Sequence, residues 1–99
     1  MRTYIYYATE ENCFETEKHE TTTPIEDVKQ FLQDDYLETD EIVSAAQQMQ
    51  SEFDNNGYAM YETEQGQGYH IIIGIAKQGK CRNILNAIRS LRRYAIAMY

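Results

Sequence analysis

The chain has no tryptophan, a single proline, two cysteines and, in its last 35 residues, not one acidic side chain. Each scarcity excludes something. Cys13 and Cys81 are too few for a disulfide framework, and in a reducing compartment both read as small buried hydrophobes. No apolar run approaches the ~18 residues of a membrane span, YHIIIGIA being the nearest. The segment MRTYIYYATEEN lacks the long apolar stretch of a secretory signal, so a soluble, cytoplasmic protein is expected. There is no internal repeat and no low-complexity tract. What remains is ordinary globular material, 42% hydrophobic and 25% charged with nine tyrosines, in a chain of 99 residues. A chain of that length has material for one core, and residues 1–99 are expected to form one domain.

Residues 3–8, TYIYYA, are aromatic and β-branched and suit a strand, with Glu10, Glu11 and Asn12 as the turn after it. A weaker strand is expected from Cys13 to about His19. Thr23-Pro24-Ile25-Glu26 has the form of a capping box: the Thr23 side chain accepts from the Glu26 backbone, Glu26 reaches back, and Pro24 occupies a first-turn position. The helix it opens carries Ile25, Val28, Phe31, Leu32 and Tyr36 on one side. Glu26, Asp27, Gln30, Asp34 and Glu38 lie on the other. Thr39 or Asp40 is expected to cap a second helix with an apolar stripe of Ile42, Ala45, Ala46, Met49 and Phe53, ended by Asn55-Asn56-Gly57.

YAMYET, EQGQG and YHIIIGIAK read as a β-hairpin. In its second strand Ile71, Ile73 and Ile75 point to one face and Ile72, Gly74 and Ala76 to the other. Such a strand belongs in the middle of a sheet covered on both sides, or covered on one side and used for contact on the other. After Gln78-Gly79 a last helix runs from about Lys80, with Cys81, Ile84, Leu85, Ile88, Leu91, Ala95 and Met98 along one side. The order β(β)ααββα predicts an α+β fold, a small antiparallel sheet of three or four strands packed with three helices.

The charges are sorted along the chain. Residues 1–64 hold all sixteen acids against Arg2, Lys18 and Lys29, a net of −13, whereas residues 65–99 hold six bases and no acid, a net of +6. Three consequences compete. The basic helix can lie against the chain's own acids, where each exposed pair contributes only ~0–1 kcal/mol. The acidic surface can face a basic partner and speed encounter. Or Arg82, Arg89, Arg92 and Arg93 can contact phosphates, an approach that the acidic body would oppose for a long polyanion.

Chemistry-bearing residues are sparse. Cys13, His19, His70 and Cys81 match none of the short spacings that pre-position zinc ligands, and no nucleophile elbow or phosphate loop is present. No cofactor, metal or catalytic residue is expected. In size, acidity, tyrosine content and lack of catalytic constellations the chain resembles the small proteins with which bacteriophages and mobile elements block host nucleases, the anti-CRISPR and anti-restriction proteins. That resemblance implies a non-enzymatic inhibitor, acting in the host cytoplasm, that docks on the basic nucleic-acid-binding surface of a nuclease or effector complex.

From the residues themselves, the candidate contact set is Glu26, Asp27, Asp34, Asp35, Glu38, Asp40 and Glu41 with Tyr58 and Tyr61. The alternative is a nucleic-acid accessory protein binding phosphates through Arg82, Arg89, Arg92 and Arg93. A homodimer through the sheet or last helix is open.

Overall fold

The computed structural model describes residues 2–9, 15–34, 37–63 and 70–98, with side chains in the last helix described as far as Ser90. Seven elements follow in chain order: β1 (Thr3–Thr9), β2 (Glu17–Thr21), α1 (Pro24–Asp34), α2 (Thr39–Asn56), β3 (Tyr58–Glu62), β4 (Ile71–Lys77) and α3 (Cys81–Met98). The strands form one antiparallel sheet in the order β2-β1-β4-β3. This is the α+β architecture expected, with the sheet four-stranded.

β4 is central, and its sequence explains why. Ile71, Ile73 and Ile75 pack with Ile5, Val28, Leu32, Ala45, Met49 and Phe53 beneath α1 and α2. Ile72 and Ala76 pack on the opposite face with Tyr6, Ala8, Ile84 and Ile88 beneath α3. Both faces of the sheet are therefore covered. Removing an isoleucine side chain from water contributes about 1.5–3 kcal/mol, so the four isoleucines of this one strand are a large share of the stabilisation on both sides.

Gly57 and Gly74 are each required by geometry. Gly57 ends α2 in the left-handed region at φ 78°, where its N–H donates to the Phe53 carbonyl at 2.8 Å. A left-handed residue closing the last turn is the common device for stopping a helix at a sharp corner. Gly74 is needed for a different reason: a Cβ there would stand 2.6 Å from Ile84 Cγ2, so α3 sits almost directly on the β4 backbone.

Three local expectations are corrected. The start of α1 is organised by Asp27 instead of Glu26. Asp27 accepts from the hydroxyl of Thr21 and, at 3.2 Å, from that of Thr23, while the Thr23 N–H donates to Thr21 Oγ1 at 3.0 Å. The arrangement ties the helix to the end of β2. The N-cap of α2 is Glu38, not Thr39 or Asp40, and its side chain makes no capping bond. The second strand spans Glu17–Thr21, later than the expected Cys13–His19; residues 10–14 lie outside the described residues. Its alternating charges fit an exposed edge, where Lys18 extends over the rings of Tyr4 and Tyr6 at 4.4 and 5.7 Å to their centroids. Charged edge strands resist pairing with other chains.

Candidate functional site

The fold sorts the charges into opposed layers. α1 and α2 together carry Glu26, Asp27, Asp34, Asp40, Glu41, Glu52 and Asp54 against one base, Lys29. α3 carries Arg82, Arg89, Arg92 and Arg93 and no acid. With the sheet between them, the two helical layers stand about 20 Å apart, two spacings of ~10 Å. That is roughly twice the Debye length of ~8–10 Å at physiological salt, so the layers neutralise one another poorly.

No carboxylate pairs with Arg82 or Arg89 among the described residues; the ion pairs there are Arg2–Glu20 at 3.6 Å, Lys29–Glu26 at 3.4 Å and His70–Glu62. The packing of the basic helix against the chain's own acids, one of the three consequences weighed from the sequence, is absent among these residues. Arg82 and Arg89 are exposed. Arg92 and Arg93 are helical, and their side chains lie beyond those described.

The partners of the acidic residues are informative. Asp34 accepts from the Gln30 side-chain amide at 3.0 Å, Glu52 from Gln48 at 3.2 Å and Asp54 from Gln50 at 2.8 Å, each one helical turn apart. Glu41 accepts from the Tyr61 hydroxyl at 2.9 Å, and Asp27 accepts from two threonines. Every one of these donors is neutral. Hydrogen bonds of this kind restrict the rotamers of a carboxylate and leave its charge intact, whereas a lysine or arginine in the same place would cancel it. Among the described residues of this layer only Glu26 has a cationic partner.

Glu38, Asp40 and Glu41 cluster at the start of α2 and are exposed. Asp40 and Glu41 occupy its first turn, where the positive end of the helix dipole favours them. Asp34 ends α1 just before them in the chain, and Asp35 lies outside the described residues. Asp34, Glu38, Asp40 and Glu41 thus stand where the end of α1 and the start of α2 adjoin in the chain. Toward the other end of α2 are Glu52 and Asp54, which sequence reading passed over although their spacing from Gln48 and Gln50 was a visible i, i+4 signal.

The tyrosines do not share one surface. Tyr61 belongs to the α1–α2 side and contacts Glu41, while Tyr58 packs on the α3 side. Alternation along β3 separates them.

The histidines and the described cysteine are dispersed as well. His70 is buried just before β4, beside Glu62, and His19 is exposed on the β2 edge. Cys81 follows the far end of β4, seven residues of strand away from His70, or about 20 Å at ~3.3 Å per residue. His70 and Cys81 cannot meet on one metal ion or in one catalytic pair.

No family model, curated protein or solved structure matches this chain.

Proposed function

We propose that the protein is a non-enzymatic binding protein whose α1–α2 layer occupies a cationic surface of a protein partner. Asp34, Glu38, Asp40 and Glu41 form the centre of the contact, with Glu26 and Asp27 on its α1 flank; Asp35, next in the chain after α1, belongs to the same candidate set. One observation carries the reading: Asp27, Asp34, Glu41, Glu52 and Asp54 are held by amides and hydroxyls, so they are positioned without being neutralised. Side chains already restricted lose less entropy on binding, and a field left uncancelled steers a basic partner from a distance. The groove of a nuclease or effector complex that ordinarily holds nucleic acid offers the matching array of cations. Carboxylates one helical turn apart lie ~5–6 Å from each other, near the spacing of phosphates along a strand. The protein would then act by stoichiometric occlusion.

A second reading has its own observation. Arg82 and Arg89 are exposed, have no carboxylate partner among the described residues, and face away from the acidic layer. The expected repulsion of a polyanion by the acidic body is weaker at about 20 Å than a uniform charge would make it. Phosphate binding along α3 is the alternative.

The test is capture from bacterial lysate, with and without nuclease treatment, by the wild-type chain and by two charge-reversed forms. Asp34→Lys, Glu38→Lys and Asp40→Lys together should lower capture of a nuclease-resistant partner by more than about tenfold, since truncated or reversed interface charges cost 2–5 kcal/mol or more. Arg82→Glu with Arg89→Glu should leave it intact. Retention that vanishes on nuclease treatment and follows the arginines would replace the first reading with the second.

A further inference from the structure

The two edges of the sheet are unlike. In β2 every residue but Thr21 is exposed, and Glu17, Lys18 and Glu20 carry charge. The other edge, β3, reads Tyr58-Ala59-Met60-Tyr61-Glu62, with one charge at its end and neither lysine nor proline. Charge on an edge strand, lysine above all, keeps other chains from pairing with it, and β3 lacks that protection.

Hydrogen-bond parity fixes what β3 turns outward. The Lys77 N–H donates to the Gly57 carbonyl at 2.9 Å, and the Thr63 N–H to the Ile71 carbonyl at 3.0 Å. Between these two bonds the register is unbroken, from Tyr58 opposite Ala76 to Glu62 opposite Ile72. Hydrogen-bonded residues alternate in an antiparallel pair, so Ala59 and Tyr61 direct their backbone groups at β4. Tyr58, Met60 and Glu62 direct theirs away from the sheet. Among the described residues no backbone group bonds to that outer side.

The outward residues are symmetric about Met60, and a second β3 complements them. Laid antiparallel with Met60 opposite Met60, two copies pair Tyr58 with Glu62 at both ends, and the three pairs exchange about six hydrogen bonds. The side chains suit this register. Ala59, small and buried, stands opposite the large Tyr61, and Tyr58, a hydroxyl donor, stands on the same face as the carboxylate of Glu62. The two Glu62 residues are four strand positions apart, about 13 Å, so like charges do not oppose one another. An unrelated strand would need each of these matches separately, whereas a second copy has them by symmetry.

We propose that the chain self-associates through β3 as an isologous dimer, joining two four-stranded sheets into one continuous sheet. The two-fold axis passes through the Met60 pair perpendicular to the sheet, so each face is continued by the same face of the second copy. α2 lies over β3, where Glu41 accepts from Tyr61, and the two α2 helices become neighbours. Two acidic layers then form one surface. Their like charge opposes association, so the dimer tightens as salt rises, the reverse of a contact between acid and base. The dimer uses backbone groups of β3 and none of the carboxylates at the α1–α2 corner, so its loss and the loss of partner capture are separate events.

Sedimentation velocity of the full chain over a range of concentrations is the test, in about 0.1 M and about 1 M sodium chloride, which shortens the screening length from ~10 Å to ~3 Å. A concentration-dependent dimer is expected, with the equilibrium shifted toward it at the higher salt. Met60→Lys sets two cations against each other on the axis and should weaken the dimer more than about tenfold while the circular dichroism stays that of the wild type. Disulfide trapping gives a readout that does not need that variant to fold. In a chain carrying Cys13→Ser and Cys81→Ser, Met60→Cys should cross-link two copies under mild oxidation, because the opposed Cα atoms stand ~5.5 Å apart, and Glu62→Cys should not. The proposal is overturned by a chain monomeric in both salts, whether or not its β3 takes up a strand of another protein. It is equally overturned by a dimer that folded Met60→Lys leaves intact, or by cross-linking as fast through Glu62→Cys as through Met60→Cys.

Discussion

The two faces of β4 differ at adjacent residues. One face presents Ile71, Ile73 and Ile75 and holds two helices at the distance large side chains impose. The other presents Ile72, Gly74 and Ala76 and draws one helix in until Ile84 touches the backbone. Over the first face the outer layer is acidic, and over the second it is basic. A single strand, two residues per repeat, therefore sets both the packing distances and the partition of charge. The lesson is that a sequence with charges sorted end from end becomes a molecule with charges sorted side from side only when a sheet stands between the two ends.

The largest expected effects break the comparison at its centre. Ile73→Ala and Ile72→Ala should each cost about 2–5 kcal/mol in urea denaturation, the first by emptying the core under α1 and α2 and the second by emptying that under α3. Equal losses with unequal changes in hydrogen exchange between the helices would show that the faces are separate cores sharing a strand; exchange rising equally everywhere would merge them.

Gly74→Ala should cost about 1–3 kcal/mol, because the new methyl meets a rigid branch of Ile84. Combined with Ile84→Ala the two losses should sum to less than their separate values, as neighbours in contact do. Strict additivity would contradict the close approach of α3.

Asp27→Ala should cost about 1–2 kcal/mol, the loss of a helix-start brace, whereas a residue serving only a partner would cost nothing in the free chain. The two hydroxyls bound to Asp27 make this the carboxylate of the acidic layer with the most structural work.

Tyr6→Phe should be neutral or stabilising by about 1 kcal/mol near neutral pH, since it removes a buried donor without a partner. It should also flatten the alkaline limb of the stability profile. Burial, with Cys81 beside it, raises the folded-state value of Tyr6, so the wild type keeps this contribution below the unfolded-state value of about 10 and loses it as the pH rises beyond. Parallel alkaline profiles for the two forms, followed by circular dichroism, would remove burial of the hydroxyl as the cause.

The smallest effect on stability is the sharpest for function. Reversal of Asp34 and Glu38 should change unfolding free energy by within about 0.5 kcal/mol per site, because these side chains are exposed, and reversal of Asp40 should add about 0.3–1 kcal/mol, the cost of a cation in the first turn of α2. Loss of partner capture without loss of stability would separate the binding surface from the scaffold.

Much of the fold was legible because the signals were periodic. The isoleucine run, the glycine after α2 and the apolar stripes of all three helices announced themselves at spacings of two and of three to four. The edge strand β2 was poorly legible, since EKHET has almost no buried side and its pairing comes from β1, not from its own pattern. The start of α1 was misjudged by one residue for a similar reason. Thr21 belongs to a strand that local reading did not extend far enough, so the donor that selects Asp27 over Glu26 was out of view. Of the candidate site, the acidic residues were visible. Their neutral partners were only half visible, because Gln30, Gln48 and Gln50 stand one turn away in sequence while Tyr61 reaches Glu41 across the fold.

By itself the sequence determined the strand and helix types, the apolar character of both faces of β4, and the uneven division of acid and base along the chain. These follow from side-chain volume, backbone preference and local spacing, all of which act over a few residues. Tertiary structure alone decided that α3 lies across the sheet from α1 and α2. It also decided that Tyr6 is buried beneath α3, and that Tyr58 and Tyr61 part company. Those outcomes depend on which strands pair and on which side each connection crosses, and no local signal carries that choice.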